Sequence, residues 1–155
     1  MPVTPTSIFL RFTLAAGLAG LAGMAAAPAL AAPDLAGAQA IFGEARAISD
    51  RDGGALWGRP LYGPILIVDP NDRSVIANQA DAGGVLKPSG GVFVGLLPDS
   101  ELIANTPIEW SGTRWTELMW PLTGEVARRH ATLAHEMFHR IQPSVGMIRP
   151  EGGNQ

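Results

Sequence analysis

Two neighbouring stretches decide the fold: Thr113-Arg114-Trp115-Thr116-Glu117-Leu118-Met119-Trp120, and shortly after it Arg129-His130-Ala131-Thr132-Leu133-Ala134-His135-Glu136-Met137-Phe138-His139-Arg140. The first reads as a strand, with Thr113, Trp115, Glu117 and Met119 on one face and Arg114, Thr116, Leu118 and Trp120 on the other. Neither face is purely apolar, so Trp115 and Trp120 are candidates both for core packing and for substrate contact. The second lies in a helix expected from Thr123, which can cap it, to Gln142, where Pro143 stops it; Glu125 in the first turn suits the helix dipole. Val126, Ala127, Ala131, Leu133, Ala134, Met137, Phe138 and Ile141 mark it as a core helix.

Upstream, the residues from Leu61 to Leu122 form short aliphatic and β-branched runs divided by Gly, Pro, Asn and Asp, the pattern of antiparallel strands joined by tight turns. Expected strands are Pro64–Asp69 and Ser74–Asn78, a hairpin through Pro70-Asn71-Asp72-Arg73, then Gly91–Leu97, Leu102–Ile108 and Thr113–Trp120. The Asp69–Asp72 turn lacks the glycine and glutamate of a calcium loop, and the glycine pairs at 53–54, 83–84 and 90–91 lack the context of a phosphate cradle. Further upstream, Leu35, Ala38, Ile41, Phe42, Ala45 and Ile48 recur at helical spacing behind Asp34, a natural cap, and Asp52-Gly53-Gly54 ends that helix. The expected class is α+β: an N-terminal helix, a mostly antiparallel sheet, then the histidine-bearing helix.

The chain has 155 residues, no cysteine and a net charge of −3, which bounds it to one modest domain without disulfides. Its apolar content is uneven. A single cation, Arg11, precedes an uncharged run from Phe12 to Pro33 that ends in Ala29-Leu30-Ala31, the pattern of a secretory signal peptide over residues 1–31. The alternative is an uncleaved anchor, since 22 uncharged residues suffice to span a bilayer. Cleavage after Ala31 leaves residues 32–155 as an exported domain, periplasmic or secreted, with no further membrane-spanning segment. Scattered arginines and one lysine make no stripe for a nucleic acid, and no serine in a Gly-x-Ser-x-Gly turn supports nucleophilic hydrolysis.

All three histidines fall within ten residues, and His135-Glu136-Met137-Phe138-His139 matches His-Glu-x-x-His. A four-residue step turns a helix by about 400°, so both imidazoles project from one face about 6 Å apart along the axis and can close on one ion. Neutral imidazoles suit Zn²⁺, and an ion with few protein ligands keeps a place for water. Glu136, about 100° round the helix from His135, is then placed to act as general base on that water. The alternative is a pair of core histidines satisfied by backbone carbonyls. His130 lies about 140° from His135 and suits a solvated or capping role.

The motif helix resembles that of the zincin metallopeptidases, and the strand-rich segment leading into it is similar to their N-terminal sheet. The resemblance implies that His135 and His139 bind zinc, that Glu136 polarises the attacking water, that the substrate is a peptide or protein, and that Thr113–Trp120 is an edge strand along the substrate. The extended metzincin pattern is excluded by Gln142 and Val145. A gluzincin-like third ligand, a glutamate on a later helix, has no place within the sixteen residues after His139; the one acidic residue there is Glu151. His-Glu-Met-Phe-His-Arg-Ile-Gln-Pro also resembles uncharacterised exported bacterial proteins that continue into further helices. From this the chain is expected to be the N-terminal part of a longer protein, its third zinc ligand absent or Glu151. The function expected is an exported zinc metallopeptidase-like hydrolase; the alternative is a non-catalytic envelope protein, or an inactive fragment, that retains the helix.

Overall fold

In a computed structural model of the chain, the structure describes Met1 and residues 34–122 and 124–147. The proposed signal segment (beyond Met1), Thr123 and Glu151 lie outside the described residues. The architecture is α+β. Helix α1 (Leu35–Asp52) precedes six strands, β1 (Ile65–Val68), β2 (Ser74–Ala77), β3 (Lys87–Ser89), β4 (Val92–Leu96), β5 (Thr106–Trp110) and β6 (Thr113–Met119). Helix α2 (Val126–Ile141) and a 3₁₀ turn, Gln142–Val145, are the last elements among the described residues. Among the described residues no helix is long and apolar enough to cross a membrane.

Local chemistry accounts for the ends of these elements. The Asp34 carboxylate accepts from the Gly37 N–H and caps α1, while Gly53, at φ 59°, closes it with its N–H on Ser49 O. In the β1–β2 turn, Asp69 Oδ1 accepts from Asn71 N and Asp72 Oδ1 from Ser74 N, both at 2.8 Å, so these carboxylates serve the turn. Helix α2 begins three residues later than its pattern suggests, with Glu125 at the cap position and no side-chain capping bond.

The sheet runs β3-β4-β2-β1-β6-β5. It is mixed: β1 pairs in parallel with β6, and every other pairing is antiparallel. This corrects the expectation that Thr113–Trp120 forms an edge. Strand β6 is interior, because the two-residue turn Ser111-Gly112, both at positive φ, folds β5 back along its outer side. Strand β5 also starts later than the expected Leu102, and β3 is a strand the pattern did not mark. Both edge strands carry a proline, Pro88 and Pro107, which blunts further pairing.

Central β1 is fully buried on both faces. One face, with Ile65, Ile67, Ile76 and Leu118, packs against Ala38, Ile41, Phe42 and Ala45 of α1 and Leu133, Met137 and Ile141 of α2. The other, with Leu66, Val68, Val75 and Trp115, is covered among the described residues by Leu86, Leu97, Trp110 and Ile103 rather than by a helix. The core-helix expectation for α2 holds for one side only: Ala127, Arg128, Ala131 and His135 are exposed. The helices are tied by Arg129, which donates through Nε and Nη2 to both oxygens of Glu44, each at 2.7 Å. Those bonds, against the opposing cost of burial, hold the Glu44 carboxyl below its ordinary range. His130 Nε2 stands 3.4 Å from the same carboxylate and away from the motif pair.

Glu117 is the exception within the core. It is fully buried on the Trp115 face, its Oε1 3.4 Å from Ala104 N and its Oε2 without a hydrogen-bond partner among the described residues. Burial pushes its carboxyl up to about 7 from the ordinary 4.5; Glu101 adds to the rise, while the Ala104 N–H and Arg73 oppose it. Between those two values the folded chain holds a proton that the unfolded chain has lost, so stability falls as pH rises through the window. Wild type is expected to lose about 2–3 kcal/mol relative to Glu117→Gln between pH 5 and pH 8. Urea unfolding of both proteins at the two pH values checks this; parallel pH profiles refute it.

Candidate metal centre

Helix α2 sits beside β5 and β6 and carries the motif, with His135 exposed, His139 half-buried and Glu136 buried. His135 and His139, one turn apart, turn their imidazoles toward each other, with Nε2 to Nε2 2.9 Å and the rings edge to face at 4.4 Å. The shared helix face anticipated from the spacing is therefore present. His139 Nδ1 is 2.8 Å from Gln142 Oε1. An amide oxygen only accepts, so this bond puts the proton on Nδ1 and leaves the Nε2 lone pair facing His135. Gln142 is the residue that the motif alone did not single out; its i,i+3 spacing from His139 is the signal that marks it.

The pair fits a zinc ion in donor type and nearly in spacing. Two nitrogens at about 2.05 Å on a tetrahedral ion stand about 3.3 Å apart, so a few tenths of an ångström of opening would suffice. Without an ion, the same distance is that of a hydrogen bond from His135 Nε2–H to His139 Nε2. Among the described residues there is no group of three or more His, Cys, Asp or Glu able to hold a metal.

Glu136 is buried at 8% exposure, whereas His135 before it is exposed. Both nonetheless line one open depression of about 270 Å³, with Ala131 and Thr132. On the far side His139 and Gln142 line a smaller cavity of about 110 Å³ with Pro107 of β5, Arg114 of β6, Pro143 and Met147. Phe138 packs on Trp57, the ring centroids 4.3 Å apart and the planes tilted by 37°. Trp115 takes no part in the site; it is fully buried on the other sheet face and donates from Nε1 to Trp110 O at 3.1 Å. Trp120 packs, partly buried, against the helix-side core.

Compared with protein-family models, curated proteins and solved structures, the chain matches none.

Proposed function

We propose that this chain is an exported zinc-dependent hydrolase of peptide bonds, of the zincin kind that its motif resembles. The observation that carries this reading is the convergence of His135 Nε2 and His139 Nε2 at 2.9 Å, with Gln142 bonded behind His139. His135 and His139 would hold the ion. Zinc, when bound, supplies a Lewis acid that acidifies water and polarises a carbonyl. Gln142 orients the His139 ring and raises its basicity. The Glu136 carboxylate, on the same depression as His135, accepts the proton of the attacking water. Export rests on the uncharged run Phe12–Pro33 and its Ala29-Leu30-Ala31 end.

A non-catalytic envelope protein, or an inactive fragment that retains the helix, is the second reading; the described residues bring together two candidate ligands, His135 and His139. Metal content separates the two. Near-stoichiometric zinc is expected in the purified chain, measured per molecule by elemental analysis, and is expected to be lost in both His135→Ala and His139→Ala. Gln142→Ala is expected to weaken zinc about 10–100-fold in chelator competition. A wild-type chain that stays metal-free in excess zinc overturns the proposal.

A further inference from the structure

Beside the histidine pair lies a concentration of positive charge that metal binding does not use. Arg114, Arg140 and Arg59 come from β6, α2 and the segment before β1, yet they converge near the C-terminal end of α2. Arg114 Nε donates to Arg140 O at 2.9 Å, Arg140 Nη2 donates to Leu61 O at 2.8 Å, and Arg59 donates to Ser144 Oγ in the 3₁₀ turn. Arg140 is packed so tightly that a Cβ on Gly63 would overlap its guanidinium, and its Nε has no hydrogen-bond partner among the described residues. Among the described residues the carboxylate paired with this group is Glu109, 2.7 Å from Arg114 Nη1 and largely exposed. Among the described residues, three guanidiniums against one solvent-facing carboxylate leave an excess of positive charge.

Arg114 also lines the 110 Å³ cavity that holds His139 and Gln142. Its Nε and Nη1 are engaged by Arg140 and Glu109, and Nη2 by neither. A planar guanidinium edge in a small cavity, backed by two further cations, is matched in geometry and charge by a carboxylate. We propose that the cavity between Arg114 and His139 is a carboxylate-binding subsite, so that the peptides taken by this centre carry a carboxylate, C-terminal or side-chain, next to the bond at the histidine pair. The inference rests on the peptide-hydrolase reading for its substrate, but carboxylate binding itself requires neither metal nor turnover.

The test uses the full chain, metal-free and zinc-loaded, with three N-acetylated tripeptides: trialanine with a free C-terminus, its C-terminal amide, and the amide with aspartate as last residue. Isothermal titration of the metal-free chain is expected to show at least one carboxylate-bearing peptide binding about tenfold more tightly than the trialanine amide, the size of one charge-assisted hydrogen bond. Whichever carboxylate binds identifies the source. Arg114→Gln is expected to erase the preference. Because Arg114 also supports Arg140, two further variants guard against misfolding: Arg59→Gln is expected to weaken the preference, and Glu109→Gln, which frees Arg114, to strengthen it. Equal binding of all three peptides, or an unchanged preference in a folded Arg114→Gln chain, overturns the subsite even where the zinc-loaded chain hydrolyses peptides. A carboxylate preference in a zinc-loaded chain that hydrolyses none of them supports the subsite and counts against the peptidase reading alone.

Discussion

Glu136→Gln is expected to reduce peptide hydrolysis about 10²–10⁴-fold, the usual contribution of a positioned general base, while leaving zinc content unchanged. The asymmetry follows from geometry. Glu136 is not one of the two converging donors, and it occupies the depression beside His135, where water has access. A carboxylate takes up a proton and an amide does not, yet the two are nearly equal in size, so the buried part of the side chain keeps its packing. His135→Ala differs in kind, because it removes a donor and should abolish metal and activity together. The measurement pairs elemental analysis with hydrolysis of a quenched fluorescent peptide library by wild type and both variants. Wild-type hydrolysis that survives intact in Glu136→Gln removes this residue from the chemistry, and loss of zinc in that variant makes it a ligand instead of a base.

Trp115→Ala is expected to cost about 3–5 kcal/mol of folding stability, the range for truncating a large buried aromatic side chain. Trp115 is fully buried among Leu66, Val68, Val75, Leu86 and Leu97, on the sheet face that no helix among the described residues covers. Its indole N–H also satisfies Trp110 O, and truncation leaves that carbonyl without its partner. Trp115→Phe keeps most of the volume and loses the bond, so it is expected to cost less than the alanine variant. Small domains are stable by only about 5–15 kcal/mol, so the alanine variant would lose a large share of the total. Urea unfolding followed by circular dichroism gives the numbers, and a cost below about 1 kcal/mol would contradict the packing described.

The two tryptophans show how far an alternating pattern carries. Alternation places Trp115 and Trp120 on opposite faces of one strand, and they do join opposite cores. It leaves open whether either face meets substrate, because burial depends on what packs there. Glu117 makes the same point: its place beside Trp115 is legible in the sequence, but the closure of the 97–105 segment over it, which raises its carboxyl, is not. Gln142 was within reach, since a residue three positions after a helical histidine faces the same side. Arg114, Arg140 and Arg59 were not, because they are brought together from segments far apart in the chain.

By itself the sequence determined what depends on neighbours along the chain. Asp34 and Gly53 bound the first helix, the Asp69–Asp72 turn builds the first hairpin, and a four-residue spacing puts His135 and His139 on one face of the last helix. Each follows from backbone geometry over a few residues. Tertiary structure alone decided the strand order. The parallel pairing of β1 with β6 and the return of β5 outside it move the supposed edge strand into the interior and set Pro107 and Arg114 beside His139. That outcome depends on which faces bury the most apolar surface against each other, a comparison between distant segments that no local pattern encodes.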